Sequence, residues 1–114
     1  MDEPRFLLRL FFGRDQRFGP GKADLLRGIA EEGSISAAGK RMGMSYKRAW
    51  GLVEAMNADF ARPLVESTRG GPKGGGARLT DEGAAVLADY TRLAAKVAET
   101  GAPEIAAIAA RLKP

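Results

Sequence analysis

The stretch Ser34-Ile-Ser-Ala-Ala-Gly-Lys-Arg-Met-Gly-Met-Ser-Tyr-Lys-Arg-Ala-Trp50 constrains the fold of this chain more than any other. Two helical patterns flank Gly43, and glycine enters left-handed backbone space cheaply, so a sharp turn belongs there. Ser34 or Ser36 can accept from the free amides that open the first helix, which is expected to run to about Met42. Ala37, Ala38 and Met42 give that helix a small, tightly packing face. Ser45 can cap a longer helix, Tyr46 to about Phe60. Within it Ala49, Val53, Met56 and Phe60 recur at spacings of four, three and four, which defines a buried stripe. A small residue where two helices cross (here Ala38), a turn glycine, and a capped second helix with an inward apolar stripe are the requirements of a helix-turn-helix. A plain helical hairpin meets them too, and the flanking sequence separates the two readings.

Residues 5 to 12 alternate, with Phe6, Leu8, Leu10 and Phe12 on one face and Arg5, Leu7, Arg9 and Phe11 on the other, which predicts a strand. Its second face is half apolar, so a partner chain can cover it. Gly13 to Gly21 reads as a loop. Lys22 to Glu32 reads as a helix with Leu25, Leu26, Ile29 and Ala30 on one side and Gly33 as its stop. After Pro63, Leu64 to Thr68 reads as a strand. Arg69 to Gly76 holds five glycines and Pro72, which excludes regular structure, and Ala77 to Leu79 can return as a second strand. Thr80 caps a helix to about Glu99, with Asp81 and Glu82 favourably placed in its first turn. Its apolar positions Gly83, Val86, Leu87, Tyr90, Leu93, Ala94 and Val97 form a seam that fits a helix–helix dimer as well as core packing. Pro103 opens a last short helix carrying Ile105, Ile108 and Leu112. A tri-helical unit followed directly by a hairpin is the winged helix arrangement. The expected fold class is therefore mainly α with a small β hairpin: one winged helix-turn-helix domain over residues 1–114, with an N-terminal strand and a long C-terminal dimerisation helix.

Charge points to the partner. Lys40 to Arg78 holds eight basic and three acidic residues, a net of +5, whereas the rest of the chain holds ten basic and eleven acidic. Such concentration is the footprint of a face that meets a polyanion. A solvated basic surface accounts for it equally well, so charge alone does not decide. The chain of 114 residues has no cysteine and no histidine, which removes disulfides, thiolate catalysis, the usual metal ligands and the usual general base. Glu31 and Glu32, the best carboxylate cluster, sit at a helix end and read as solvated. No nucleophile, base and oxyanion donor converge, so no enzyme and no cofactor are expected. The apolar run Phe6 to Phe12 is interrupted by Arg9 and is far shorter than the roughly 20 residues a membrane helix needs. No cleavage pattern of a signal peptide follows it, so no membrane contact and a cytoplasmic location are expected.

With Ala49, Val53 and Met56 inward, Lys47, Trp50, Gly51 and Glu54 should point away from the core, with Tyr46 and Arg48 flanking them. In a helix-turn-helix the first turns of the second helix enter the DNA major groove. Lys47 can donate to guanine acceptors, and Tyr46 can reach a thymine methyl or a phosphate. Arg48, Lys40 and Arg41 suit phosphates. Trp50 reads either as recognition or as the edge of the core. Gly51 costs helix stability, so its position implies close approach of something. The wing Arg69-Gly-Gly-Pro-Lys-Gly-Gly-Gly-Ala-Arg78 lets backbone amides approach anions, with Arg69, Lys73 and Arg78 supplying charge. A nucleotide-binding P-loop is excluded, since no Gly-Lys-Ser/Thr opens a helix here; a loop without ligand remains an alternative. The expected DNA-binding set is Ser36, Lys40, Ser45, Tyr46, Lys47, Arg48, Trp50, Arg69, Lys73 and Arg78.

Gly33-Ser-Ile-Ser-Ala-Ala, Met44-Ser-Tyr-Lys-Arg-Ala-Trp50, Glu54-Ala-Met-Asn57, Leu64-Val-Glu, and Gly70-Gly-Pro-Lys-Gly-Gly-Gly76 with Leu79-Thr80 carry a family resemblance. The chain resembles, over about residues 19 to 100, the DNA-binding domain of ModE-type molybdate-responsive transcription regulators, itself close to the LysR-type winged helix. The resemblance implies a homodimeric, bacterial, nucleoid-associated regulator of double-stranded DNA with a link to molybdate-dependent gene control. It implies a recognition helix at Ser45 to Trp50 and DNA binding by about residues 19–80. Dimer contacts are implied on strand 5–12 and on helices 81–112. Full-length members carry C-terminal molybdate-binding domains. No residue here matches that oxyanion site, so molybdate binding by these residues is not expected. The alternative is a winged-helix protein-interaction module without specific DNA readout, since fold does not fix function.

Overall fold

A computed structural model describes residues 5–68 and 76–114. Among these residues the elements run β1 (Leu10–Phe11), β2 (Arg17–Phe18), α1 (Pro20–Glu32), α2 (Ile35–Arg41), α3 (Tyr46–Asp59), β3 (Val65–Thr68), β4 (Gly76–Leu79), α4 (Asp81–Thr100) and α5 (Ala102–Ala109). The winged helix order expected from the sequence is present. Helices α1, α2 and α3 enclose a core of Leu25, Leu26, Ile29, Ile35, Ala38, Ala49, Val53 and Met56, which Phe18, Leu64, Val65, Ala77 and Tyr90 close from outside.

The helix ends follow their capping chemistry. Ser34 Oγ accepts from the Ala37 amide at 3.0 Å, so Ser34 and not Ser36 caps α2. Ser45 Oγ accepts from the Arg48 amide at 3.1 Å, and Thr80 Oγ1 from the Gly83 amide at 3.0 Å. Gly33 and Gly43 both adopt φ 73°, the left-handed conformation that ends α1 and turns the chain between α2 and α3.

The crossing of α2 over α3 differs from the expectation. Ala38 packs toward α1, where its methyl lies 3.0 Å from where a Cβ on Gly28 would stand. Gly39 makes the close approach to α3 instead: a Cβ there would fall 2.7 Å from the Ala49 methyl. Two other apolar positions also shift. Ala30 is exposed while Ala23 is buried, and Phe60 is only partly buried, edge-on to Phe18 with centroids 6.4 Å apart.

The N-terminal strand is the largest correction. Only Leu10 and Phe11 of residues 5–12 enter a strand, and their partner lies in the stretch read as a loop. Leu10 pairs with Phe18 and Phe11 with Arg17, around a turn closed by the Phe12 amide donating to the Gln16 carbonyl at 2.8 Å. Alternation shows that a segment can be a strand but not how much of it finds a partner; here the chain folds back on itself after Phe12. The segment is tied down by Tyr90, whose hydroxyl donates to the Leu8 carbonyl at 2.6 Å.

The β3–β4 hairpin is antiparallel, from Val65 opposite Leu79 to Thr68 opposite Gly76. It docks on the end of α1, with the Ala77 amide donating to the Gly33 carbonyl at 2.9 Å. Thr80 fastens its base, donating through its hydroxyl to the Pro63 carbonyl at 2.7 Å and through its amide to the Leu64 carbonyl at 2.9 Å. No helix among the described residues is long and apolar enough to cross a membrane.

Candidate nucleic-acid interface

The turn at Gly43 and the packing of Ala49, Val53 and Met56 fix the rotation of α3 about its axis. Lys47, Gly51 and Glu54 lie on the face opposite that buried stripe, and all three are exposed. Nothing among the described residues lies within 4 Å of a Cβ built on Gly51, so whatever approaches this face is not another part of the described chain.

The two flanks of the helix differ. Tyr46 and Trp50 lie one turn apart on the flank toward the hairpin, with rings within 16° of parallel and centroids 6.4 Å apart. Tyr46 is 57 % exposed and Trp50 38 %. They border a groove shared with Ser34, Ser36, Ser67 and Gly76. Trp50 therefore sits neither in the core nor on the outermost face with Lys47, as the helical pattern suggested, but on the wall between helix and hairpin. Arg48 lies on the opposite flank with Leu52, facing the N-terminal hairpin.

The remaining expected residues are partly brought together. Ser36 is exposed beside the Tyr46–Trp50 groove, and its hydroxyl is left over because Ser34 takes the cap. Ser45 is exposed, with its side-chain oxygen engaged by the Arg48 amide. Lys40 is exposed at the end of α2. Its neighbour Arg41 is not a free cation: it bridges Glu31 at 2.6 Å and Glu32 at 3.2 Å. Hydrogen bonds to Glu31, then to Glu32, raise the Arg41 pKa still further. The two glutamates expected to be merely solvated thus lock the end of α1 to α2. Arg78 reaches across the hairpin to Glu66, Nε to Oε1 at 2.7 Å, with both side chains largely exposed. Arg69 and Lys73 lie outside the described residues.

The sequence reading missed Asn57 as a positioning residue. Its Oδ1 accepts from the Leu64 and Val65 amides at 2.8 and 3.2 Å, and its Nδ2 donates to the Val65 carbonyl at 3.0 Å. One side chain thereby sets the hairpin against α3. The available signal was an asparagine inside a helix, where its competition for backbone bonds is unfavourable unless a tertiary partner uses it. Ser67, which points at the same groove from β3, gave no signal.

Comparison with known proteins agrees with this geometry. Residues 23–84 match the model of the bacterial regulatory helix-turn-helix protein family of LysR type. The chain is 46% identical over 83 residues to the molybdenum-pterin-binding protein MopB of Rhodobacter capsulatus, covering 73% of this chain and 31% of that protein. It is 40% identical over 97 residues to the molybdenum transport protein ModE of Azotobacter vinelandii, covering 82% and 35%. It is 44% identical over 75 residues to the DNA-binding transcriptional dual regulator ModE of Escherichia coli K12, covering 66% and 29%. The chain thus spans about a third of the length of these relatives. Among solved structures, it superposes on the CbnR DNA-binding domain in complex with DNA with a TM-score of 0.60 at 28% identity, covering 77% of this chain and 95% of that one. Full-length CbnR with its target DNA gives 0.55 at 26% identity, covering 74% and 27%.

Proposed function

The chain belongs to the LysR family of bacterial regulatory helix-turn-helix proteins, and on that premise we propose that it is a sequence-specific, homodimeric regulator of transcription that reads double-stranded DNA with α3. The observation that carries this reading is the outward face of α3, exposed at Lys47, Gly51 and Glu54 and bordered by a hairpin that Asn57 and Thr80 hold in place. Lys47 donates to guanine O6 and N7 in the major groove. Tyr46 and Trp50 meet the sugar or a thymine methyl at the wall of the groove, with Ser36 close by. Ser45 sets the start of the helix, and Lys40 and Arg48 contact phosphates. Arg69, Lys73 and Arg78 place the wing on the backbone, Arg78 exchanging Glu66 for a phosphate.

Residues 19–80 form the DNA-binding part, while the N-terminal segment and α4 and α5 make the homodimer. The protein acts in the cytoplasm, on the nucleoid. A link to molybdate-dependent gene control rests on relatives described as ModE and as molybdenum-pterin-binding proteins. The residues of this chain are not proposed to hold molybdate.

Selection of bound duplexes from a random library, with and without molybdate, tests the proposal. One enriched, roughly palindromic sequence is expected, with an affinity that falls steeply with salt. Lys47→Ala should relax the preference at one base pair, at about 1–3 kcal/mol, whereas Lys73→Ala should weaken all duplexes alike. Equal affinity for every duplex would refute sequence readout. A protein partner that shifts Tyr46 to Trp50 where DNA does not would favour an interaction module.

A further inference from the structure

The Arg48 flank of α3 carries a feature that the wing does not explain. Arg48 shares a cavity of about 360 Å³ with Arg9, Arg17 and Lys22, floored by Phe18 and Leu52. The N-terminal hairpin supplies Arg9 and Arg17, the first turn of α1 supplies Lys22, and α3 supplies Arg48. Lys22 is partly spoken for: its ammonium donates to the Arg17 carbonyl at 2.8 Å and lies 3.9 Å from Asp59. Arg9, Arg17 and Arg48 form no ion pair among the described residues, which contrasts with Arg41 and Arg78. Arg17 is instead steadied over the Phe11 ring, 5.7 Å from its centroid, and the Arg9 stem lies against Gly19, where a Cβ would stand 3.2 Å from Cγ of Arg9. Three exposed arginines line one partly apolar hollow, and a phosphate seated there can pair with more than one of them. Helix α1 begins at this hollow without a side-chain cap.

We propose that this cleft is a second phosphate-binding shoulder, which grips the DNA backbone on the flank of α3 opposite the wing. The inference rests on the DNA-binding reading above. A helix lying in the major groove, about 12 Å wide, has a sugar–phosphate strand along each side. The wing follows one strand, and the cleft stands where the other runs, since Arg48 and the Tyr46–Trp50 pair occupy opposite flanks of the same helix. Direct phosphate pairing suits arginine, whose planar fork matches a phosphate edge. The N-terminal hairpin then has two sides: Arg17, with Phe11 beneath it, and Arg9 toward DNA, and Phe12 toward the apolar groove with Phe60 and Leu93.

Salt titrations of duplex affinity test this with Arg9→Gln, Arg9→Lys, Arg48→Gln and the double Arg9→Gln/Arg48→Gln variant. Gln retains much of the stem that packs on Gly19, and thermal melting reports whether each variant folds. Each Gln variant should weaken the selected duplex and a scrambled one by the same factor. It should also lower the log–log salt slope by about 1 for each charge removed, while Arg9→Lys keeps the slope. Unchanged slopes in folded variants, with Lys47→Ala still impairing readout, would overturn the shoulder and leave the DNA-binding reading standing. No duplex binding by the unmutated protein would overturn both. Inorganic phosphate, titrated without DNA, supplies the remaining arm. If it shifts Arg9 and Arg48 resonances while the Gln variants leave duplex affinity intact, the cleft holds a free oxyanion and the backbone proposal fails.

Discussion

Asn57 commits both ends of its side-chain amide to the backbone of the next element, bonding three main-chain groups of Leu64 and Val65. Replacing it with alanine leaves those partly buried groups without partners. Asn57→Ala should therefore cost about 1–3 kcal/mol in urea unfolding. It should also weaken duplex binding, because the hairpin loses its fixed distance from α3. Gly51 makes the opposite kind of prediction. A Cβ there meets nothing within 4 Å among the described residues, so Gly51→Ala should stabilise α3 by up to about 1 kcal/mol. Since Gly51 shares the exposed face with Lys47 and Glu54, the added methyl stands where the base edges approach, and duplex affinity should fall while the melting temperature rises. A variant that is stabilised and binds DNA as tightly as the parent would show that the groove floor does not come close to Gly51. Both effects are invisible to hydrophobic periodicity, which ranks residues by what they bury and is silent on what a missing side chain allows.

At the level of elements, the helices were legible because their signals are local. Ser34, Ser45 and Thr80 each cap the helix that follows them, and Gly33 and Gly43 turn where left-handed backbone is needed. Pairing is not local, and that is where the reading fell short. Residues 5–12 alternate as a strand should, yet two of them pair, because the partner Arg17–Phe18 lies beyond a turn whose sequence looks like loop. The α2–α3 crossing failed for a related reason: Ala38 and Gly39 are adjacent and both small, and only the rotation of α2 between α1 and α3 decides which one meets Ala49. Within the candidate site, the outward position of Lys47 was legible from the stripe, but the pairing of Arg41 with Glu31 and Glu32 was not, since it joins two helices. The N-terminal segment itself hangs on Tyr90. Burial, then the Asp24 charge, raise the Tyr90 pKa above the usual phenol value. The unfolded chain ionises first, near pH 10, so the stabilisation from neutral Tyr90 is present below that pH and is lost as pH rises toward the folded value. Tyr90→Phe removes the bond to the Leu8 carbonyl and should cost about 0.5–1.5 kcal/mol at neutral pH. The gap between parent and variant should then narrow above pH 10; a gap independent of pH would show that Tyr90 does not couple ionisation to folding.

The whole molecule extends 55 Å in its longest direction against 30 and 22 Å, a shape set by α4 and α5 leaving the tri-helical unit. Those helices bury little: α5 has no buried residue although it is almost wholly apolar, and of the 20 residues of α4 only Gly83 and Tyr90 are buried. Leu93, Ile108 and Leu112 are exposed, and Leu93 lines an apolar groove with Leu10, Phe12, Phe60 and Val86 that joins α4 to the N-terminal hairpin. In the homodimer proposed above, a second copy would cover this apolar surface. Two-fold symmetry then has a consequence for DNA. Two copies of α3 reach the same side of a duplex only if the half-sites are a whole number of helical turns apart, about 34 Å for one turn. Leu93→Glu/Ile108→Glu should sediment as a folded monomer and bind a single half-site with the parent's base preference, but lose the gain from the second. Inserting half a turn of DNA between the half-sites should reduce the parent to that same level, because the second half-site then faces away. If the charged variant stayed dimeric, or if the inserted half-turn left affinity unchanged, α4 and α5 would not be what couples one reading helix to the other.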